Sequence, residues 1–238
     1  MVSASARIAV IIPALNEERS LPLVLAGLPR ERIHEIVVVD NGSTDNTAQV
    51  ARDGGARVVQ EPRRGYGSAC LAGIAALDDP GIVVFLDADH SDDPADFPSV
   101  VSPILEDRAD LVIGSRVLGE REKGALLPQA LFGNWLATRL IHWIWGPRFT
   151  DLGPFRAIRA DALRRLDMQD RDFGWTVEMQ IKAARHGLRC VEVPVSYRRR
   201  VGRSKITGTI GGSVRAAHKI LFTIFREALV SRSSPEKS

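Results

Sequence analysis

The chain has 238 residues, 45% of them apolar and 26% charged, a composition that supports a buried core and excludes a chain too polar to fold. Its formal net charge is only +3, but the charge is segregated: Arg198 to Arg226 carries eight Lys or Arg and no acid, whereas Asp87 to Asp96 is strongly acidic. Such zoning points to a cation at one place and an anionic partner at another, and no stretch reaches the ~18 uninterrupted apolar residues of a membrane-spanning helix.

In chain order, apolar β-branched runs at Ile8–Ile12, Ile36–Val39, Ala56–Val59, Ile82–Leu86 and Leu111–Ile113 predict strands. Helical spacing separates them, as in Leu21, Val24, Leu25 and Leu28, and again in Ala69, Ala72, Ala76 and Leu77. Continuous rather than alternating apolar runs suit strands covered on both sides, so the expected class is α/β, a doubly wound, mainly parallel sheet with helices on both faces. Ser43 or Thr44 is placed to cap the helix that runs to Arg52, and Pro94 suits a first helical turn. The second half begins with a helical stretch, Leu126–Trp145, broken as an apolar run by Asn134, Arg139 and His142. A strand over Pro154–Arg159, a helix from Thr176 to His186 and a strand over Leu188–Val195 follow. After Tyr197 come a basic loop and a helix over Ile210–Leu229. Cys70 and Cys190 lie in apolar context and read as reduced core thiols; with no leader segment recognisable, the expected compartment is the cytoplasm.

Ligands of an open parallel sheet bind beyond the carboxyl ends of its strands. Three such ends carry informative residues: Pro13-Ala-Leu-Asn16-Glu17, Asp40-Asn41-Gly42-Ser43 and Asp87-Ala-Asp89. Carboxylates two apart on an extended chain point to one side, and their oxygens together with substrate phosphates suit Mg²⁺ or Mn²⁺. Asp92 and Asp93, just before Pro94, read more simply as helix caps.

Together, Pro13-x-x-Asn16-Glu17, VVVDNGSTDNT (37–47), Gly65-x-Gly67 and Asp87-Ala-Asp89 resemble the family 2 glycosyltransferases, which have the GT-A fold. Gly114-Ser-Arg116, TDLGPFRAIR (150–159) and Arg199-x-x-Gly-x-Ser204-Lys205 narrow the resemblance to the dolichyl-phosphate mannose synthase and polyprenyl-phosphate glycosyltransferase branch, over about residues 7 to 210. The expected organisation is one GT-A domain over 1–230, with a nucleotide-sugar-binding half (7–115) and an acceptor-shaping half (116–230), followed by a tail (231–238) whose polar composition reads as disordered. It places Pro13, Leu15, Glu17, Asp40, Asn41, Asp87, Ala88, Asp89 and Arg116 at the donor, with Asp87 and Asp89 on the metal. Asp89, Arg199, Lys205 and Glu178 are the implied catalytic set, and Asp151, Ser204 and Lys205 the acceptor set. Leu15 and Asn41 depart from the family's usual Tyr and Asp. Ser91 stands where some members have a metal-supporting Gln.

The implied reaction is metal-dependent, inverting transfer of a hexose, glucose or mannose, from a UDP- or GDP-linked donor to a polyprenyl phosphate. A hydroxyl acceptor would instead need a general base, for which Glu178 and Asp151 are the candidates; their other readings are a first-turn carboxylate favoured by the helix dipole and a loop residue bracing the acceptor side. The basic zone favours a phosphate acceptor. Ile206, Ile210, Val214, Ala217, Leu221, Ile224 and Phe225 approximate one helical face beside Arg215, Lys219 and Arg226, suited either to an anionic membrane surface or to closing the core. The expected partners are thus a nucleotide sugar, a lipid phosphate and a peripheral contact with the inner face of the membrane, with no nucleic acid. A nucleotidyltransferase would need a Gly-rich basic loop where IIPALNEERS stands. A dinucleotide-binding reading of Gly65-x-Gly67 fails because Cys70 occupies the third glycine position.

Overall fold

The computed structural model describes residues 7–202 and 210–233, and within the last helix the side chains of 218–229. Seven strands form one sheet: β1 (Ile8–Ala14), β2 (Glu35–Asp40), β3 (Arg57–Gln60), β4 (Ile82–Phe85), β5 (Leu111–Ser115), β6 (Arg156–Arg159) and β7 (Cys190–Pro194), in the order β3-β2-β1-β4-β6-β5-β7. Every pairing is parallel except those of β6, which runs antiparallel to β4 and β5.

The period-two geometry of a strand divides each apolar run between two cores. In β1, Val10 and Ile12 face a layer built by α1 (Leu21–Gly27), α2 (Thr47–Asp53) and α4 (Phe97–Leu105). Ile11 faces the other layer, built by α3 (Tyr66–Ala76), α5 (Pro128–Trp145), α6 (Ala160–Leu166), α7 (Trp175–Arg185) and α8 (Ile210–Ser233). The expected doubly wound α/β architecture is therefore present. Among the described residues, no helix is long and apolar enough to cross a membrane.

Local expectations needed correction. Ser43 and Thr44 do not cap α2. The Thr47 N–H donates to Asp45 Oδ1 at 3.0 Å, while Ser43 Oγ accepts from the Asn16 N–H and the Thr44 N–H donates to Asn16 Oδ1. Pro94 opens a short 3₁₀ turn capped by Asp93, and α4 starts only at Phe97. Asp92 caps nothing; it is buried at 1% exposure. Cys190 is half-buried rather than in the core. The seven-residue α6 was not expected from the sequence. The last helix runs to Ser233, so residues 231–233 are helical, and 234–238 lie outside the described residues.

Candidate active site at the carboxyl ends of the central strands

The strand order reverses between β1 and β4, and a cavity of about 370 Å³ opens beyond their carboxyl ends. Pro13, Leu15 and Glu17 approach it from β1, Asn41 from β2, and Asp87, Ala88 and Asp89 from β4. Arg64, Gly65 and Tyr66 come from the start of α3, while Asp172, Phe173 and Arg200 close the far side. A cavity with an apolar wall on one side and carboxylates facing a guanidinium on the other suits a molecule with a flat ring at one end and a charged group at the other.

The two carboxylates are treated differently. Asp89 Oδ1 accepts from the Ser91 N–H at 2.9 Å and from Ser91 Oγ at 2.5 Å, and Oδ2 lies 2.8 Å from Arg200 Nη2. Asp87 Oδ1 is buried with no hydrogen-bond partner. Burial, and then the Asp89 charge, push the Asp87 carboxyl up to about 7, although the Tyr66 hydroxyl hydrogen-bonds it. A buried carboxylate oxygen without a donor is costly, and a divalent cation would relieve that cost. Among the described residues no group of three or more His, Cys, Asp or Glu gathers to hold a metal. The donor set is thus two hard carboxylates, which fits Mg²⁺ or Mn²⁺ completed by phosphate and water rather than an all-protein cage.

The loops around the cavity are stitched to one another. Asn41 Nδ2 donates to the carbonyls of Glu61 and Arg63, and its Oδ1 accepts from the Gly65 N–H at 2.8 Å. The amide is fully spent, so Asn41 shapes the cavity wall. Asp40 turns away: it accepts from the Ser43 N–H and from Gln60 Nε2, and it does not line the cavity. Gly65 and Gly67 are there for close approach. A Cβ on either would overlap the backbone of Asp170 or Arg171, and Gly65 has φ +143°. The Ser68 N–H donates to the Arg171 carbonyl at 3.0 Å in the same contact, which brings Asp172 and Phe173 to the rim.

Arg116 and Asp151 form one unit beside the cavity rather than in its lining. Asp151 is fully buried and receives Arg116 Nε at 2.8 Å and Nη2 at 2.7 Å, a two-point clamp, while the guanidinium lies 5.1 Å from the centre of the Tyr197 ring. Burial alone would lower the Arg116 pKa, but the Asp151 charge outweighs it and the cation is held more firmly. Asp151, expected at the acceptor, is thereby engaged inside the protein. Glu178 is too: it is fully buried, accepts from the N–H groups of Gln169 and Asp170, and pairs with Lys182 at 2.9 Å. Neither carboxylate is free to take a proton from a substrate in this arrangement.

The segment after β7 crosses the acidic motif. The Arg198 N–H donates to the Ser91 carbonyl and the Val201 N–H to the Asp89 carbonyl, so this strap lies along 89–91. It puts Arg200 in the cavity. Arg199 is exposed and donates to the Lys123 carbonyl, outside the lining. Ser204 and Lys205 lie outside the described residues. Sequence reasoning missed Arg200, Tyr66, Asp172 and Phe173. The Arg198-Arg199-Arg200 run was the available signal for Arg200, but motif spacing selects its neighbour. Asp172 and Phe173 carry no local signal, because only the glycine contact brings them in.

Comparison with known proteins agrees with this geometry. The family model described as glycosyl transferase family 2 matches residues 9–167. An uncharacterized glycosyltransferase of Mycobacterium tuberculosis is 42% identical over 219 residues, covering 88% of this chain and 94% of the relative. The undecaprenyl-phosphate mannosyltransferase of Micrococcus luteus is 34% identical over 230 residues, covering 87% and 90%. Among solved structures, glucosyl-3-phosphoglycerate synthase from Mycobacterium tuberculosis, in complex with Mn²⁺, UDP-glucose and phosphoglyceric acid, superposes with a TM-score of 0.77 at 24% identity, over 98% of this chain and 82% of that one. With a mostly parallel sheet, a cavity at its switch point and these relatives, the chain belongs to glycosyl transferase family 2 and is a glycosyltransferase of the GT-A fold.

Proposed function

We propose that this enzyme transfers a hexose, glucose or mannose, with inversion from a UDP- or GDP-linked donor to a polyprenyl phosphate in a divalent-metal-dependent reaction. The base and ribose fit the wall of Pro13, Leu15, Glu17 and Asn41, and the diphosphate lies toward Asp87, Asp89 and Arg200. Mn²⁺ in the structural relative and the unpartnered Asp87 oxygen support a cation held by Asp87 and Asp89. When bound, that ion supplies Lewis-acid neutralisation of the diphosphate leaving group. Arg200, held charged chiefly by Asp89 against the opposing effect of burial, adds a second cation as the sugar–oxygen bond breaks. Lys205 and Ser204 stay assigned to the acceptor phosphate by their motif.

The observation that carries the acceptor is the fate of Glu178. The candidate base for a hydroxyl acceptor is spent on internal partners, and a phosphate nucleophile is already anionic and needs none. The acid-free stretch from Arg198 to Arg226 and the undecaprenyl-phosphate relative support the same reading. A second reading keeps the donor and takes a hydroxyl acceptor. Asp172, a carboxylate on the cavity lining, would be its base, and the synthase that uses a soluble acceptor favours it. Labelled UDP- and GDP-sugars offered with Mn²⁺ or Mg²⁺ to undecaprenyl phosphate and to phosphoglycerate separate the two. Chelator-sensitive lipid-linked label is the expected result. Label on phosphoglycerate alone would overturn the lipid acceptor.

A further inference from the structure

Residues 170–173 form a turn whose polar groups are spent inside the protein, with one exception. Asp170 is buried: its N–H donates to Glu178 Oε2 at 2.7 Å, its Oδ1 accepts from the N–H groups of Asp172 and Gly174, and its Oδ2 lies 2.9 Å from Lys219 Nζ. The Arg171 carbonyl accepts from both the N–H and the hydroxyl of Ser68. Gly174 is packed as closely, since a Cβ there would stand 2.4 Å from Asp170 Oδ2 and 2.5 Å from Thr223 Oγ1. The exception is the Asp172 carboxylate. Among the described residues it has no hydrogen-bond or ion-pair partner, and it is half-buried on the cavity lining together with Phe173.

A turn fastened on both sides gives up conformational freedom to form. What it delivers to the cavity is one free carboxylate and one aromatic ring. The negative charge of Asp172 repels a diphosphate, so it does not serve that part of the donor. The nucleoside has its own wall at Pro13, Leu15, Glu17 and Asn41, and the hexose is the part left. Carboxylate plus aromatic ring is the chemistry a hexose calls for. Two carboxylate oxygens accept from two neighbouring hydroxyls, while the negative face of the ring meets the sugar's C–H groups.

We propose that Asp172 and Phe173 grip the hexose of the donor and select it, Asp172 by accepting hydrogen bonds from two adjacent hydroxyls and Phe173 by packing on the ring. A site that hydrogen-bonds a hydroxyl rejects the analogue without it, so the accepted donors carry hexoses that are neither deoxygenated nor substituted at those two positions. The inference rests on the nucleotide-sugar reading and on neither acceptor.

Titration calorimetry of the full chain with Mn²⁺ would compare UDP with UDP-glucose and GDP with GDP-mannose, in wild type, Asp172→Ala, Asp172→Asn and Phe173→Leu. The quantity read is the ratio of each sugar nucleotide's Kd to that of its own nucleoside diphosphate, which isolates the hexose. For the donor that wild type binds, Asp172→Ala should raise the ratio on the order of tenfold. Asp172→Asn keeps one acceptor oxygen and should raise it less, and Phe173→Leu should raise it about fivefold. The Kd of the nucleoside diphosphate should stay that of wild type in all three, which shows the cavity intact. A ratio unmoved in both Asp172 variants overturns the proposal, whatever happens to transfer; if transfer is lost as well, Asp172 is the base for a hydroxyl acceptor. Wild type that binds neither nucleotide nor sugar nucleotide sinks the donor reading and this inference with it. Metal-dependent nucleotide binding with an unmoved ratio sinks the hexose grip alone.

Discussion

Arg200 and Asp89 are held together twice: Arg200 Nη2 lies 2.8 Å from Asp89 Oδ2, and the next residue, Val201, donates its N–H to the Asp89 carbonyl at 3.0 Å. The strap after β7 is thus fastened to the acidic motif by backbone as well as by charge. Its position does not depend on one flexible side chain, and the cation stands where a diphosphate would meet the carboxylates.

Arg200→Ala should therefore lower kcat/KM by roughly 10²-fold, the usual cost of deleting a cation or donor that meets developing charge. Arg199→Ala, whose guanidinium is tied to the Lys123 carbonyl, should cost far less. Steady-state kinetics on the two variants decides it. The opposite ranking would return the role to Arg199.

Asp87→Asn and Asp89→Asn should each remove both Mn²⁺ binding, measured by titration calorimetry with UDP present, and transfer. Chelator should abolish wild-type turnover, and added Mn²⁺ or Mg²⁺ should restore it. The unpartnered Asp87 oxygen is the physical reason, since an amide there cannot replace a charged ligand. Full Mn²⁺ affinity in Asp87→Asn would exclude it as a ligand.

Asp92 is buried with both oxygens unpartnered, and burial, followed by the Asp87 charge, holds its carboxyl well above the ordinary range. The unfolded chain releases this proton near pH 4 while the folded chain keeps it, so stability falls as pH rises above about 4. Asp92→Asn should remove that loss, with a gain of about 1 kcal/mol or more at pH 8 and little near pH 4. Urea denaturation at the two pH values is the check. An equal effect at both would mean that the carboxyl ionises normally in the fold.

Glu178→Gln separates brace from base. Breaking a buried pair with Lys182 should cost roughly 3 kcal/mol of stability, while activity per folded molecule at low temperature is expected to persist. A stable variant with no turnover would restore Glu178 as a catalytic group.

Much of the architecture could be read in the sequence, because burial on both faces writes itself as continuous apolar runs at β1, β2, β4 and β5, and the acids at their carboxyl ends need only local spacing. The strand at β6 was legible too, within Pro154–Arg159, but its antiparallel direction was not, since a strand pattern carries no direction. Its Arg156, fully buried, donates to the carbonyls of Gly153 and Thr176, a role no pattern foretells.

Residues close together in the chain already carry the family, the α/β layering and the Asp87–Asp89 pair. Packing was needed to put Arg200 rather than Arg199 in the cavity, to give Asp151 to Arg116, to make Glu178 an internal brace, and to bring Asp172 and Phe173 to the rim through the contact at Gly65 and Gly67. A polar side chain's role is set by which partner satisfies it. Those partners lie far away in sequence and become neighbours only when the sheet and its helices have packed.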